Sequence, residues 1–267
     1  MINLFFGTAA DCPIGFKEPG FPASLAQLAK QLNIPQLTIS HQVHGIAGRV
    51  VAKQLAATEQ PVIDFKTQDG DYLIAHEPGV GIGVLTADCL PLVFYAPDKN
   101  IIAVAHAGWR GSVAGIGPVV VERLINDFGI DVQQLKIWFG PAGKACCYEV
   151  KQDFVEALEA IKHHALSPLT GRPSPFAQVT SADRSTSSGG AGVVNKNATA
   201  FLKQSRGGKL FFDNAEFNKQ QLLVAGVLES NIDLSNNHCT ICNHEYHSYR
   251  RATDKTAYKT QVTIAWL

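Results

Sequence analysis

The clearest pattern in the chain is a nearly unbroken apolar run at its centre. Val80 to Leu85 and Leu90 to Tyr95 are short pieces rich in β-branched and aromatic residues, and Ile101 to Ala105 follows after the turn signal at Pro97 to Asn100. Pieces that are apolar at almost every position, not at alternate ones, predict strands covered on both faces. Tyr72 to Ala75 reads the same way after the turn Gln68 to Asp71, and Gly48 to Lys53 also reads as a strand. Leu37 to Ile39 is a short apolar piece leading into His41 to Gly45. Leu135 to Phe139 predicts a further strand, and the alternation of Gln261 to Trp266 predicts the last one.

Helical spacing alternates irregularly with these strands. Ser24 to Asn33 places Leu25, Leu28, Ala29 and Leu32 on one face, with Ser24 as a candidate cap. After His106, Gly108 and Gly111 allow tight turning. Ser112 then opens a helix to about Phe128 with Ile116, Val120, Leu124 and Phe128 buried, and Pro118 argues for a later start. Asp153 to Ile161 and Asn214 to Val224 complete the set, the latter closed by Gly226. No regular strand–helix–strand repeat emerges, so the predicted class is α+β in packed layers, in a single domain spanning 1–267. Ser185 to Gly192 is nearly pure Ser, Thr and Gly within an irregular stretch, and 162–195 reads as a surface insertion.

Composition narrows the partners. Lys plus Arg and Asp plus Glu are 23 each, giving no net charge, and charged residues are 17% of the chain. No basic excess is available for phosphate backbones or anionic lipid, so neither nucleic acid nor a membrane is the expected partner. The segment Val80 to Ala96 is broken by Asp88 and Pro91, short of the roughly 20 clean apolar residues of a bilayer span. No basic residue precedes the apolar start, so a signal peptide is not expected, and the location is read as cytoplasmic. In a reducing compartment the six cysteines are structural, metal-binding or catalytic, not disulfide partners.

Three residues stand at strand ends or beside glycine turns: His44, Cys89 and His106. Two imidazoles and a thiolate suit zinc, with the fourth position open for water or substrate. Each residue also has a structural reading, a buried small hydrophobe for Cys89 and a strand-end imidazole for each histidine. The surrounding strings add weight. Thr86 to Pro91 (Thr-Ala-Asp-Cys-Leu-Pro), followed by His106 to Gly111 (His-Ala-Gly-Trp-Arg-Gly), closely resembles the YfiH family, also called the laccase-domain or multicopper polyphenol oxidase family. Gly70 to Ile74, Gly140 to Val150 with its Cys-Cys-Tyr-Glu-Val, Asp213 to Gly226, Cys239 to Cys242 and Ser248 to Arg251 match further family segments in order.

The resemblance implies a four-layer α/β/β/α sandwich with mixed sheets. It implies zinc held by His44, Cys89 and His106, and a substrate class of purine nucleosides, with phosphorolysis or adenosine deamination as the reaction and phosphate as co-substrate. The older laccase label would require copper, but three ligands and a single methionine, Met1, do not make a multicopper set. The chain departs from the family at its start, where Phe5 to Pro13 has no counterpart of the family arginine and the first arginine is Arg49. A monomer or small homo-oligomer is expected.

Further candidates carry two readings each. Asp88 orients a ligand or a ribose hydroxyl, or makes a buried structural hydrogen bond. Arg110 has the planar fork that suits phosphate, or makes a structural ion pair. Gln42, Arg250 and Arg251 are candidate substrate contacts, with one arginine facing the site and the other solvent. Cys239 and Cys242, with His238, His244 and His247 nearby, resemble half a zinc knuckle. Their crowding into ten positions favours a turn with inward-packed thiols. Cys146 and Cys147 are adjacent and would point apart in an extended strand, which favours packing for at least one. Asn197 to Thr199 matches a glycosylation sequon without meaning in a cytosolic chain, and Gly189 to Gly192 lacks the context of a phosphate loop. Two rival activities remain on the residues alone: a thiol hydrolase with Cys89 as nucleophile and His106 as base, and a nucleoside binder without catalysis.

Overall fold

The computed structural model describes residues 2–12, 14–54, 60–161, 201–205 and 207–267. The insertion at 162–195, the sequon and the Gly189 to Gly192 stretch lie outside them.

Chain order is β1 (Asn3–Phe6), α1 (Phe21–Gln31), β2 (Gln36–His41), β3 (Gly48–Val50), β4 (Val62–Asp69), β5 (Tyr72–Ala75), β6 (Val80–Thr86), β7 (Leu90–Ala96) and β8 (Ile101–Ala107). Then come α2 (Trp109–Val113), α3 (Ile116–Phe128), β9 (Lys136–Phe139), β10 (Glu149–Val150), α4 (Gln152–Ile161), β11 (Leu202–Gln204), β12 (Leu210–Phe212), α5 (Asn214–Val224), β13 (Ile232–Asp233) and β14 (Gln261–Trp266).

Two large mixed sheets form the centre, ordered β1-β14-β6-β2-β4 and β13-β9-β7-β8-β5-β3. The first joins antiparallel β1, β14 and β6 to parallel β2 and β4. In the second, β5, β8, β7 and β9 run antiparallel, with β3 and β13 added in parallel at the edges. A small antiparallel sheet, β10-β12-β11, stands beside them.

Strand alternation explains why the central run is apolar throughout. Leu90, Leu92 and Phe94 of β7, with Ala103 and Ala105 of β8, pack towards Ile116, Val120 and Leu124 of α3. The intervening Val93, Ile102 and Val104 pack against Val80, Ile82 and Val84 of the other sheet. The outer face of that sheet, through Leu37, Ile39, Val262 and Ile264, receives Phe21, Leu25 and Ala29 of α1. The layers are therefore helix, sheet, sheet, helix, as the resemblance implied. Each fully buried Leu or Phe here contributes roughly 1.5–3 kcal/mol against exposure. Among the described residues, no helix is long and apolar enough to cross a membrane.

Several elements differ from expectation. The first helix starts at Phe21 with Gly20 at its N-cap, and the Ser24 hydroxyl donates to Phe21 O instead of capping. Pro22 occupies the first turn, where a missing N–H costs nothing, and this allows the earlier start. The expected Ser112 helix is two helices. Gly115, at φ 85, is in the left-handed region that glycine enters freely, and it breaks the path and starts α3, with Pro118 in that helix's first turn. The third strand stops at Val50, short of Lys53.

α5 shows how a helix with a polar stripe docks. Asp213 accepts the Glu216 N–H at its start. Asn214 Nδ2 donates to Ala107 O (2.9 Å), Asn218 Nδ2 to Ser112 Oγ (2.9 Å) and Gln221 Nε2 to Ser112 O (2.8 Å). These amides satisfy groups left open at the end of β8 and in α2, where buried polar atoms need partners. They fix the turn immediately after His106.

Candidate active site

His44, Cys89 and His106 come together, with one ligand atom of each within 4.8 Å of the others. The sheets bring them there. His106 sits near the end of β8, on the face of Ile102 and Val104, and is 3% exposed. Cys89 immediately precedes β7, its neighbour in the sheet. His44 lies in the loop between β2 and β3 and is exposed, so the cluster has a buried floor and one open side. The two imidazoles meet edge to face, with ring centroids 4.8 Å apart.

Gly108 completes the floor. A Cβ on it would lie 3.1 Å from His44 Cδ2, 3.2 Å from Cys89 Sγ and 3.4 Å from His106 Cε1. The backbone therefore comes against all three ligands at once, which a side chain would prevent.

Asp71 was not among the sequence candidates, yet it organises the site. Fully buried, its Oδ1 accepts from His106 Nδ1 at 2.8 Å. The same carboxylate accepts the N–H groups of Val43 (3.3 Å), His44 (3.0 Å) and Gly45 (2.6 Å). These amides hold His44 at φ 63, a left-handed backbone that a non-glycine residue adopts only when surroundings impose it. A carboxylate only accepts, so Nδ1 of His106 carries a proton and Nε2 faces the cluster, where the neutral ring offers its lone pair. Burial alone would raise the Asp71 carboxyl, but the His106 hydrogen bond and charge, with the Gly45 and His44 amides, bring it below the ordinary value. Its sequence signals were an acid after a glycine turn and before an apolar strand, and its place in the family-like segment Gly70 to Ile74.

Without a metal, the cluster's electrostatics favour a charge pair. Burial opposes ionisation of both partners. The charge and hydrogen bond of His106 nonetheless lower Cys89, with help from His44, while Cys89 and Asp71 raise His106. The donor set fits a soft-to-borderline divalent ion: a stabilised thiolate, an imidazole with its tautomer fixed from behind, a second imidazole on an anchored loop and an open side.

The other candidates take definite places. Asp88 is buried at φ 85, a conformation Asp tolerates better than most residues. Its carboxylate accepts from Thr240 Oγ1 (2.7 Å), Ser248 Oγ (3.0 Å) and the Arg250 N–H (2.7 Å). It ties the segment 240–250 to the cysteine beside it. Gln42 clips onto β6, with Nε2 donating to Leu85 O (2.7 Å) and Oε1 accepting the Leu85 N–H (2.8 Å). Arg251 donates through Nη1 to Thr240 O and Ile241 O at 2.8 and 2.9 Å, and through Nη2 to Tyr246 O. Arg250 is exposed and lies over the Tyr148 ring at 5.0 Å, and Arg110 is exposed over Trp109 at 4.2 Å. The Tyr148 hydroxyl is raised first by burial and then by the Cys89 charge, with Arg250 opposing.

The cysteine expectations need correction. Cys146 and Cys147 lie in a turn, not an extended strand, with the Cys147 and Tyr148 N–H groups both donating to Lys144 O (2.9 and 2.8 Å). Their thiols converge with those of Cys239 and Cys242, and of these four only Cys239 is buried. The metal-ligand group that Cys239 and Cys242 enter contains none of the nearby histidines. His247 Nε2 instead donates to Cys12 O (2.9 Å).

Fold and donor set together define an α+β protein of two large packed sheets with a His–Cys–His cluster of metal-ligand type. The chain belongs to the family described as multi-copper polyphenol oxidoreductase laccase, which it matches over residues 22–186 and 184–267. It is 30% identical over 227 residues to the adenosine deaminase RL5 of an unknown prokaryotic organism, covering 84% of this chain and 74% of that one. It is 30% identical over 205 residues to a purine nucleoside phosphorylase of Borreliella burgdorferi, covering 75% and 70%. The crystal structure of the hypothetical protein YfiH from Bacillus licheniformis superposes with a TM-score of 0.74 at 21% identity, over 100% of this chain and 92% of that one, and shares the fold.

Proposed function

We propose that this protein is a zinc-dependent enzyme acting on purine nucleosides, by phosphorolysis, deamination of adenosine, or both. One observation carries the reading. A buried carboxylate, Asp71, holds both the imidazole of His106 and the loop of His44, so that three ligand atoms face one accessible position beside Cys89. Support for the substrate class comes from the names of the relatives, one an adenosine deaminase and one a purine nucleoside phosphorylase.

His44, Cys89 and His106 would hold the zinc, which when bound would supply Lewis acidity and an activated water. Two imidazoles and a thiolate with an open fourth position favour zinc over the several distinct centres of a multicopper oxidase. Asp71 keeps the proton on His106 Nδ1 and so keeps Nε2 directed at the site. Arg250 and Arg110 present exposed guanidinium forks suited to phosphate or to substrate oxygens. In phosphorolysis they would hold phosphate against C1′ while the purine leaves with the bonding electron pair. In deamination, water replaces the C6 amino group and ammonia leaves. Asp88 serves by position, holding the segment that carries Arg250 against Cys89.

The thiolate–imidazolium tendency of Cys89 and His106 favours a second reading, a thiol hydrolase with Cys89 as nucleophile. The test incubates zinc-loaded protein with adenosine, with and without phosphate, and resolves the products by chromatography. Inosine or free adenine, lost in Cys89→Ala together with bound zinc, is the expected result. No product with zinc bound and adenosine in excess would overturn the nucleoside reading. Stoichiometric alkylation of Cys89 in metal-replete protein would favour the hydrolase.

A further inference from the structure

We propose that Cys146, Cys147, Cys239 and Cys242 hold a second zinc ion, a closed four-thiolate site that braces the wall of the first.

The four sulfurs are close enough together to share one metal ion. The four sulfurs all lie within 4.8 Å of one another, and Cys146 Sγ and Cys242 Sγ are 4.0 Å apart. With a Zn–S bond of about 2.3 Å, the edge of a tetrahedron is about 3.8 Å. A disulfide requires about 2.05 Å. The one printed pair lies near a tetrahedral edge, all four sulfurs share one small volume, and all four cysteines are free, so the group suits a shared ion better than paired disulfides.

The backbone prepares the site in two turns. The turn at 145–147 carries two of the sulfurs. Cys239 to Cys242 forms the other, with the Asn243 N–H donating to Cys239 O (3.0 Å). Backbone N–H groups of Cys242, Lys144 and Ile241 point at Cys239 Sγ. The two segments are already joined. Ala142 pairs with Cys239 in a parallel bridge, Ala142 N–H donates to His238 O (3.0 Å) and Thr240 N–H to Ala142 O (3.1 Å). Asn237 Nδ2 donates to Gly140 O (2.8 Å), and Lys144 Nζ to Asn237 O (2.9 Å). Arg251 braces the second turn by donating to the carbonyls of Thr240 and Ile241.

Four thiolates fill the coordination of zinc and leave no place for substrate, so the site is structural. Binding would release thiol protons to solvent. Its consequence for the first site is mechanical. Thr240, between the two cysteines of the second turn, donates to Asp88, the neighbour of Cys89. Tyr148 follows Cys147 directly and carries the Arg250 guanidinium over its ring at 5.0 Å.

The test counts metal with the first site deleted. Wild-type protein, purified under reducing conditions, stripped with chelator, reloaded with zinc and gel-filtered, is expected to retain about two zinc ions per chain, and Cys89→Ser about one. Cobalt in Cys89→Ser is expected to show tetrahedral d–d bands and strong thiolate-to-cobalt charge transfer. Adding Cys242→Ser, at an exposed position, should abolish both while circular dichroism stays native. A folded Cys89→Ser protein that binds no metal, with all four thiols open to alkylation, would overturn the proposal. So would recovery of the four sulfurs as two disulfides from the metal-loaded, reduced preparation. The count does not depend on activity, so failure of the nucleoside reading leaves it intact.

Discussion

Asp71 Oδ1 sits 2.8 Å from His106 Nδ1, and the same carboxylate gathers the amides of Val43, His44 and Gly45. One buried acid therefore fixes His106 on β8 and His44 in the loop between β2 and β3. Asp71→Asn can still accept at one atom, but its amide nitrogen faces donors. Such changes behind a ligating histidine weaken metal binding about 10–100-fold. We expect that loss in competition titrations with a chromophoric chelator. An unchanged affinity would show that His106 orients itself without the carboxylate.

Metal-free protein should show an unusual pH profile at Cys89. Burial works to raise this thiol, but His106 outweighs it, and the pKa falls below the ordinary 9.0. His106 moves the other way from 6.5. The stability from ionised Cys89 is therefore lost as pH falls through its lowered value. That from protonated His106 is lost as pH rises through its raised value. Alkylation at graded pH with peptide mapping should find Cys89 reactive well below pH 9.0. Cys12, pushed up to about 11 chiefly by burial, serves as the unreactive control. Equal pH profiles for the two would refute the charge pair.

Asp88 is a positioning residue with a specific signature. Asp88→Ala leaves the buried Thr240 and Ser248 hydroxyls and the Arg250 amide without an acceptor and places alanine at φ 85. Hydrogen bonds to a charged group are worth about 1.5–3 kcal/mol each, with incomplete additivity, so a loss on the order of 3 kcal/mol is expected. Asn keeps an acceptor and tolerates the left-handed backbone, so Asp88→Asn should recover most of it in denaturant unfolding. Equal losses in both variants would point to the charge itself.

Gly108→Ala tests the floor of the site. At φ −62 and ψ 159 the backbone suits alanine, so folding should change little. The new methyl would meet His44 Cδ2 and Cys89 Sγ at 3.1 and 3.2 Å. Zinc affinity should fall while the melting temperature of the metal-free protein holds within a few degrees, as expected for a shift under about 1 kcal/mol. Full zinc affinity would show that the ligands have slack.

The central strands were legible because sheets covered on both faces leave continuous apolar runs, and β6, β7 and β8 are such strands. β4 was not, because Val62–Asp69 is a half-exposed edge with polar residues through its second half, and β1 was too short to signal itself. His44, Cys89 and His106 were legible through their flanking strings. Asp71 was not, because its role exists only when the His44 loop folds back on the start of β5. Gln42 and Arg251 look like ligand-binding side chains in sequence, yet their hydrogen-bonding groups are bound to backbone. The four-thiol cluster was hidden by distance, since Cys146 and Cys242 are 96 residues apart and neither half alone indicates a site.

Strand β14 lies between β1 and β6, with Gln261 opposite Thr86 and Phe6 opposite Thr263. During synthesis, β1 emerges long before β14, its neighbour in the sheet, and waits for it until residue 266 has left the ribosome. Until then β6 has an open edge, and the stretch from Thr240 to Arg250 that grips Asp88 is still being made. Assembly of this sheet is therefore gated by the arrival of β14, and a ribosome paused before it would display an unpaired apolar edge to the cell's chaperones.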